Sequence, residues 1–76
     1  MRTVDAVDDD IRFNDCWGDR QRYVFIPGWI VADDAGRRMT RDEAISFVRA
    51  NLDRYRHEAR VQHGKGNAEK IVILAR

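Results

Sequence analysis

The chain has 76 residues, of which 43% are hydrophobic and 36% are charged, and its formal net charge is +1. This length supports one hydrophobic core, so we expect a single domain over residues 1–76. The composition excludes a disordered chain, and the sequence holds no apolar run of the roughly 20 residues that would cross a bilayer. A single cysteine, Cys16, excludes an internal disulfide. We therefore expect a cytoplasmic protein without a membrane partner.

The first part of the chain predicts a β-hairpin that follows a loose arm. Residues 1–10 hold four aspartates and little apolar material, which is typical of a solvated arm. The alternating pattern of residues 11–17 predicts a strand, residues 18–21 a hairpin loop, and the aromatic and β-branched residues 22–26 a second strand.

Pro27-Gly28 then interrupts a long apolar run. This pair suits the two central positions of a type II turn, and a bulge within one long strand is the alternative. A strand is expected over residues 29–33, a turn over residues 34–36 and a short returning strand over residues 37–39.

A long helix is predicted from about Arg41 to Gln62. Thr40 and Glu43 have the spacing of a capping box, in which each side chain accepts a hydrogen bond from the backbone amide of the other residue. Apolar side chains at spacings of three and four give this helix one apolar face. They are Ala44, Val48, Leu52, Tyr55 and Ala59.

The sequence predicts an α+β fold. Gly64 is a suitable end for the helix, residues 65–69 are interpreted as a loop, and residues 70–75 are the clearest strand in the chain. Strands, a helix and a further strand indicate a small two-layer sandwich, in which an antiparallel or mixed sheet of three to five strands packs on one long helix.

The sequence shows no motif for catalysis, a cofactor or a metal. His57 and His63 are six residues apart, which separates them by about 120° on a helix and keeps them from one shared ion. His57-Glu58 begins like a zinc-protease motif, but the second histidine is replaced by Val61. Cys16 has no activating partner identifiable from sequence. We therefore predict that the protein is not an enzyme and carries no cofactor or metal.

Basic residues concentrate in the second half of the chain. Residues 1–36 carry four arginines and eight aspartates, a net charge of −4, and residues 37–76 carry ten basic and five acidic residues, a net charge of +5. On an ideal helix three of the arginines lie within about 40° of one another and could follow a phosphate backbone. A nucleic-acid-binding domain is therefore the alternative function, and a solvated, salt-bridged helix face is the plainer interpretation. The residues of this candidate site are Arg49, Arg56, Arg60, Lys65 and Lys70.

Three predicted strands are apolar on both faces, namely residues 23–26, 29–32 and 71–74. Because one helix covers only one face of a sheet, either the sheet closes on itself or a partner covers the other face. The candidate protein-binding residues are Trp17, Tyr23, Phe25 and Trp29. We hypothesise a non-catalytic interaction module, a small accessory or inhibitory protein that binds a larger protein assembly or a second copy of itself. Phage-encoded inhibitors of host defence are one class of such chains, suggested by size alone.

Overall fold

The described residues of the chain fold into a four-stranded sheet with three helices. The computed structural model describes residues 3–17, 20–64 and 70–76, without the side chains of residues 17 and 20. The strands are β1 (Val4–Val7), β2 (Asp10–Trp17), β3 (Arg20–Pro27) and β4 (Ile71–Ile73), and the helices are α1 (Gly28–Ala35), α2 (Arg41–Ala50) and α3 (Leu52–His63).

The sheet is mixed, with the order β1-β2-β3-β4. β2 is antiparallel to both β1 and β3, and β4 is parallel to β3. The alternate residues that point to one face are buried under the helices, so the molecule has two layers. The predicted α+β class is confirmed, with three helices in place of one.

The hydrophobic core lies between the sheet and the helices. Its centre is formed by Phe13 of β2, Val24 and Ile26 of β3 and Tyr55 of α3, which are at most 1% exposed. The predicted apolar helix face is confirmed, since four of its five members are buried and Ala44 packs against the cluster.

The predicted loose arm is wrong in its described part. Residues 4–7 form β1, and Val4 is buried opposite Phe13. A two-residue turn, Asp8 and Asp9, joins β1 to β2, and Asp8 has a φ of 55°. Aspartate is one of the few non-glycine residues that tolerate this left-handed conformation, so the acidic run makes a tight turn rather than a solvated arm.

The strand predicted at residues 29–33 is wrong, because this segment belongs to α1. Pro27 is the N-cap, and Gly36 ends the helix in a left-handed conformation with φ of 74°. The proline ring fixes φ at a value compatible with the start of a helix. Glycine adopts the left-handed conformation at the helix end without strain. Ile30 and Val31 are buried on the inner side of the helix. Residues 37–39 follow the end of α1 and do not form the predicted strand.

The predicted long helix is divided at Asn51 into α2 and α3. Asn51 has φ of −117° and ψ of 26°, outside helical values, and its side-chain amide donates to the Phe47 carbonyl at 2.9 Å. Asparagine interrupts helices in this way because its side chain competes for backbone partners. The capping box of Thr40 and Glu43 is confirmed, and Gly64 is the C-cap of α3.

The remaining boundaries agree with the sequence where they can be compared. β2 and β3 match the predicted hairpin, although residues 20 and 21 of the expected loop belong to β3 and residues 18 and 19 lie outside the described part. β4 lies within the predicted final strand, and the predicted loop at residues 65–69 lies outside the description. Among the described helices, none combines the length and apolar character needed to cross a membrane.

Candidate protein-interaction surface

One face of the sheet is left open by the described helices, and it carries an apolar patch. Strand alternation places Tyr23 and Phe25 of β3 on this face beside Ile71 and Ile73 of β4. The parallel register pairs Tyr23 with Ile71 and Phe25 with Ile73. Tyr23 is 39% exposed, Ile71 58% and Ile73 57%, and Phe25 is half-buried. We call these four residues the open-face patch.

The β1–β2 half of the same face is polar. Arg12 lies between Phe25 of β3 and Asp5 of β1 in the register. Its guanidinium donates two hydrogen bonds to the Asp5 carboxylate, at 3.1 and 2.6 Å, and lies 5.2 Å from the centre of the Tyr23 ring. The hydrogen bonds that Arg12 donates to the Asp5 carboxylate raise the pKa of Arg12 above its ordinary value. The charges of Asp5 and Arg12 on this half of the face are therefore paired with each other.

The structure brings two of the four predicted protein-binding residues together. Tyr23 and Phe25 share the open-face patch, whereas Trp29 lies on α1 and is 58% exposed. It lines a separate cleft of ≈ 740 Å³ together with Met39 and the acidic turn between β1 and β2. Trp17 ends β2, and its side chain lies outside the described part.

Two of the predicted nucleic-acid-binding arginines contact a buried carboxylate. Asp15 of β2 is 1% exposed. Arg60 of α3 donates to it through Nε at 3.3 Å and Nη2 at 2.9 Å, and Arg56 Nε lies 3.4 Å from Asp15 Oδ1. Arg22 of β3, also buried, places Nη2 3.8 Å from Asp15 Oδ2. The Asp15 carboxylate therefore compensates part of the positive charge on this side of α3 within the fold.

The other two described members of the basic candidate site, Arg49 and Lys70, are not part of this cluster. Arg49 of α2 and Lys70, just before β4, are exposed, and Lys65 lies outside the described part. Arg56 also contacts Asp53 at 3.3 Å on the outer surface. The helix face is thus built largely as an ion-paired surface, and nucleic-acid binding stays a prediction.

A second carboxylate, Asp34, joins α1 to α3 and to the last described residue. It accepts a hydrogen bond from the Tyr55 hydroxyl at 2.6 Å and forms an ion pair with Arg76, whose Nη2 lies at 3.0 Å. Arg54 is 3.3 Å away. Hydrogen bonds from Arg76 and then from Tyr55 hold the pKa of Asp34 below its ordinary value.

The described residues hold no cluster of three or more histidine, cysteine or carboxylate side chains suited to a metal ion. His63 places Nε2 3.1 Å from the Ile73 carbonyl oxygen, at the edge of β4, and His57 is exposed on α3. Cys16 is exposed on β2. Nothing in these positions assembles a nucleophile with a base.

Comparison with protein-family models, with curated proteins and with solved structures finds no match to this chain. Function is therefore inferred from the geometry of the molecule.

Sequence reasoning missed Ile71 and Ile73 as surface residues. Their strand was recognised as apolar throughout, and in a two-layer fold alternate members of such a strand must face outward. It also missed Asp15, a carboxylate at an inward position of an alternating strand. That position was the signal for a buried ion pair, because a buried charge needs a partner.

Proposed function

We propose that the protein is a non-catalytic interaction module whose binding surface is the open-face patch. The observation that carries this proposal is the exposure of Tyr23, Ile71 and Ile73 beside one another on a regular sheet. Scattered apolar residues are normal on protein surfaces, whereas contiguous ones mark interaction sites.

The composition of the face supports this role. The patch contains aromatic and aliphatic side chains without a charge, and the Asp5–Arg12 pair borders it. Protein interfaces share this anatomy, with charged residues depleted at the centre and a polar rim around it. Tyr23 is suited to an anchoring role, since tyrosine combines large contact area with few rotatable bonds.

The sheet holds the patch in place before binding. Tyr23 and Phe25 lie on β3, an interior strand whose neighbours β2 and β4 pair with it on both sides. The opposite side of β3 is fixed by the buried residues Val24 and Ile26. A surface that is already ordered loses little conformational entropy on binding, which favours affinity.

Capture of partners from the source cell tests the proposal. The tagged wild-type protein is compared with Ile73→Glu, which places a charge in the open-face patch, and with Val61→Glu as a matched control. Val61 is 70% exposed on α3, so the control adds the same charge outside the patch. Circular dichroism and thermal unfolding verify that both variants remain folded.

We expect the wild type and Val61→Glu to retain the same partner and Ile73→Glu to lose it. Retention of every partner by a folded Ile73→Glu protein would exclude the open-face patch as the binding surface. The accessory or inhibitory role and the cytoplasmic location stay predictions.

A further inference from the structure

We propose that the occupant of the open-face patch is a second copy of this chain, packed sheet against sheet. This inference rests on the proposed function and names its partner. It follows from three properties of the patch: its shape complements itself, the ion pair that borders it lies at the rim when two copies meet, and its size suits a dimer that dissociates on dilution.

The shape of the patch follows from the strand register. β3 contributes the aromatic side chains Tyr23 and Phe25, and β4 contributes the smaller Ile71 and Ile73 at the same levels along the strands. A two-fold axis parallel to the strands, between β3 and β4, places the aromatic strand of one copy on the aliphatic strand of the other. Tyr23 then faces Ile71 of the second copy, and Phe25 faces Ile73. Large side chains opposite smaller ones interdigitate well, and a two-fold interface requires such self-complementarity.

The position of the Asp5–Arg12 ion pair favours the same arrangement. With the axis between β3 and β4, the β1–β2 half of each copy extends beyond the β4 edge of the other, so the Asp5–Arg12 pair lies at the rim of the overlap. With the axis between β2 and β3, Arg12 would instead face Phe25 of the other copy and Asp5 would face Ile73. Removing an ion pair from water without new partners is unfavourable. The Asp5–Arg12 pair is itself neutral, so it adds no net charge by which the copies would repel each other.

The size of the patch sets the strength of the dimer. It is two strands wide and two side chains long, with neighbouring strands about 4.8 Å apart. A stable interface buries about 800 Å² on each partner, which is more than four partly exposed side chains provide. The surrounding polar residues must supply the rest. We therefore expect a dimer that dissociates on dilution.

Sedimentation velocity measured over a range of protein concentrations tests self-association. We expect the sedimentation coefficient of the wild type to rise from the monomer to the dimer value as concentration increases. Val61→Glu should behave in the same way, and Ile73→Glu should remain monomeric. Ile71→Glu serves as a second variant of the patch in case Ile73→Glu fails to fold.

Cysteine cross-linking tests the arrangement, on a Cys16→Ser background that removes the exposed native thiol. One chain carries Phe25→Cys, and a separately tagged chain carries Ile73→Cys. Phe25 faces Ile73 of the other copy across sheets about 10 Å apart, too far for a direct disulfide, so a short bifunctional thiol reagent forms the link. We expect this reagent to cross-link the mixed sample faster than either variant alone. Equal rates in all three samples would overturn the arrangement.

The outcomes separate this inference from the proposed function. A wild type that stays monomeric at every concentration overturns self-association. If the patch variants still lose a captured protein in that case, the proposed function stands with a different partner. A dimer that persists in folded Ile71→Glu and Ile73→Glu proteins overturns the inference, because the copies then meet through another surface.

Discussion

At the scale of single residues, position 28 requires glycine for a reason that its place in a helix does not indicate. A Cβ atom at this position would lie 2.3 Å from the carbonyl oxygen of Asp9, in the turn between β1 and β2. This contact is far closer than real Cβ atoms tolerate, and the neighbour is backbone rather than a flexible side chain. The first turn of α1 and the acidic turn can therefore approach only because residue 28 has no side chain.

We expect Gly28→Ala to lower the free energy of unfolding by about 1–3 kcal/mol, the usual cost of overpacking. Helix propensity alone predicts the opposite sign, since alanine is favoured over glycine by about 1 kcal/mol in a helix. Urea denaturation of the two proteins measures the difference. A more stable variant would show that the turn and α1 do not approach as closely as this geometry requires.

The Asp34 carboxylate makes stability depend on pH in a defined direction. Its pKa is lowered in the folded protein by Arg76 and Tyr55. A carboxylate whose pKa is lower in the folded than in the unfolded protein stabilises the fold at pH values above its unfolded-state pKa of about 3.9. This stabilisation is lost as the pH falls through the folded-state pKa.

We therefore expect Asp34→Asn to be less stable than the wild type at pH 6, by about 1.5–3 kcal/mol, the range for hydrogen bonds to a charged group. The difference should narrow as the pH of the urea denaturation series is lowered towards 3. Asp33→Asn is the matched control, because Asp33 is the exposed neighbour on the same helix. A difference that is independent of pH would show that Asp34 acts through packing alone.

At the scale of elements, the sequence predicted β2, β3 and the start of α2 because their determinants are local. The strands alternate or are β-branched, and the capping box of Thr40 and Glu43 is a short-range signal. α1 was assigned wrongly because Ile30, Val31 and their neighbours favour strands by propensity. Pro27 and Gly36 bound this helix in the structure, and its burial against the sheet is a tertiary effect that overrides propensity.

The candidate site was predictable only in part for the same reason. Tyr23 and Phe25 lie on a correctly assigned strand, so their placement on one face follows from alternation. Trp29 was grouped with them only because α1 was taken for a strand. Ile71 and Ile73 join them through the parallel pairing of β3 with β4, and sequence pattern does not specify which strands become neighbours.

The outer edge of β4 is covered by the C-terminal end of α3. The side chain of Gln62 donates to the Ala75 carbonyl at 2.8 Å and accepts from the Ala75 amide at 3.0 Å, so it imitates a neighbouring strand. His63 lies 3.1 Å from the Ile73 carbonyl oxygen. A covered edge is protected against edge-to-edge association, so these contacts protect the β4 side of the sheet.

We expect Gln62→Ala to speed hydrogen exchange at the Ala75 amide by about 2- to 10-fold, matching the net worth of one hydrogen bond. The Leu74 amide is the internal control, since it donates to the Phe25 carbonyl at 2.9 Å on the other side of the strand. Exchange rates from NMR should change at Ala75 and stay constant at Leu74. Equal acceleration at both amides would indicate that the whole strand detaches instead.

At the scale of the whole molecule, the acidic and basic halves of the chain neutralise each other. Asp15 contacts Arg56 and Arg60, and Asp34 contacts Arg54 and Arg76. Each of these pairs joins the acidic half of the sequence to the basic half. The charge asymmetry therefore serves tertiary contacts between sheet, α1 and α3, and it leaves less charge for a nucleic-acid backbone than the sequence indicates.

The buried pair should contribute far more to stability than the exposed pair on the same arginine. Arg56 lies 3.4 Å from the Asp15 carboxylate, which is 1% exposed, and 3.3 Å from that of Asp53, which is 86% exposed. We expect Asp15→Asn to lower the free energy of unfolding by about 3–5 kcal/mol, because it leaves guanidinium groups without their buried counter-charge. Asp53→Asn should cost less than about 1 kcal/mol, since water screens that pair.

Urea denaturation of both variants measures the two losses. Losses of similar size would mean that Asp15 does not anchor α3 to the sheet, and the arginines of α3 would then be available to an outside partner.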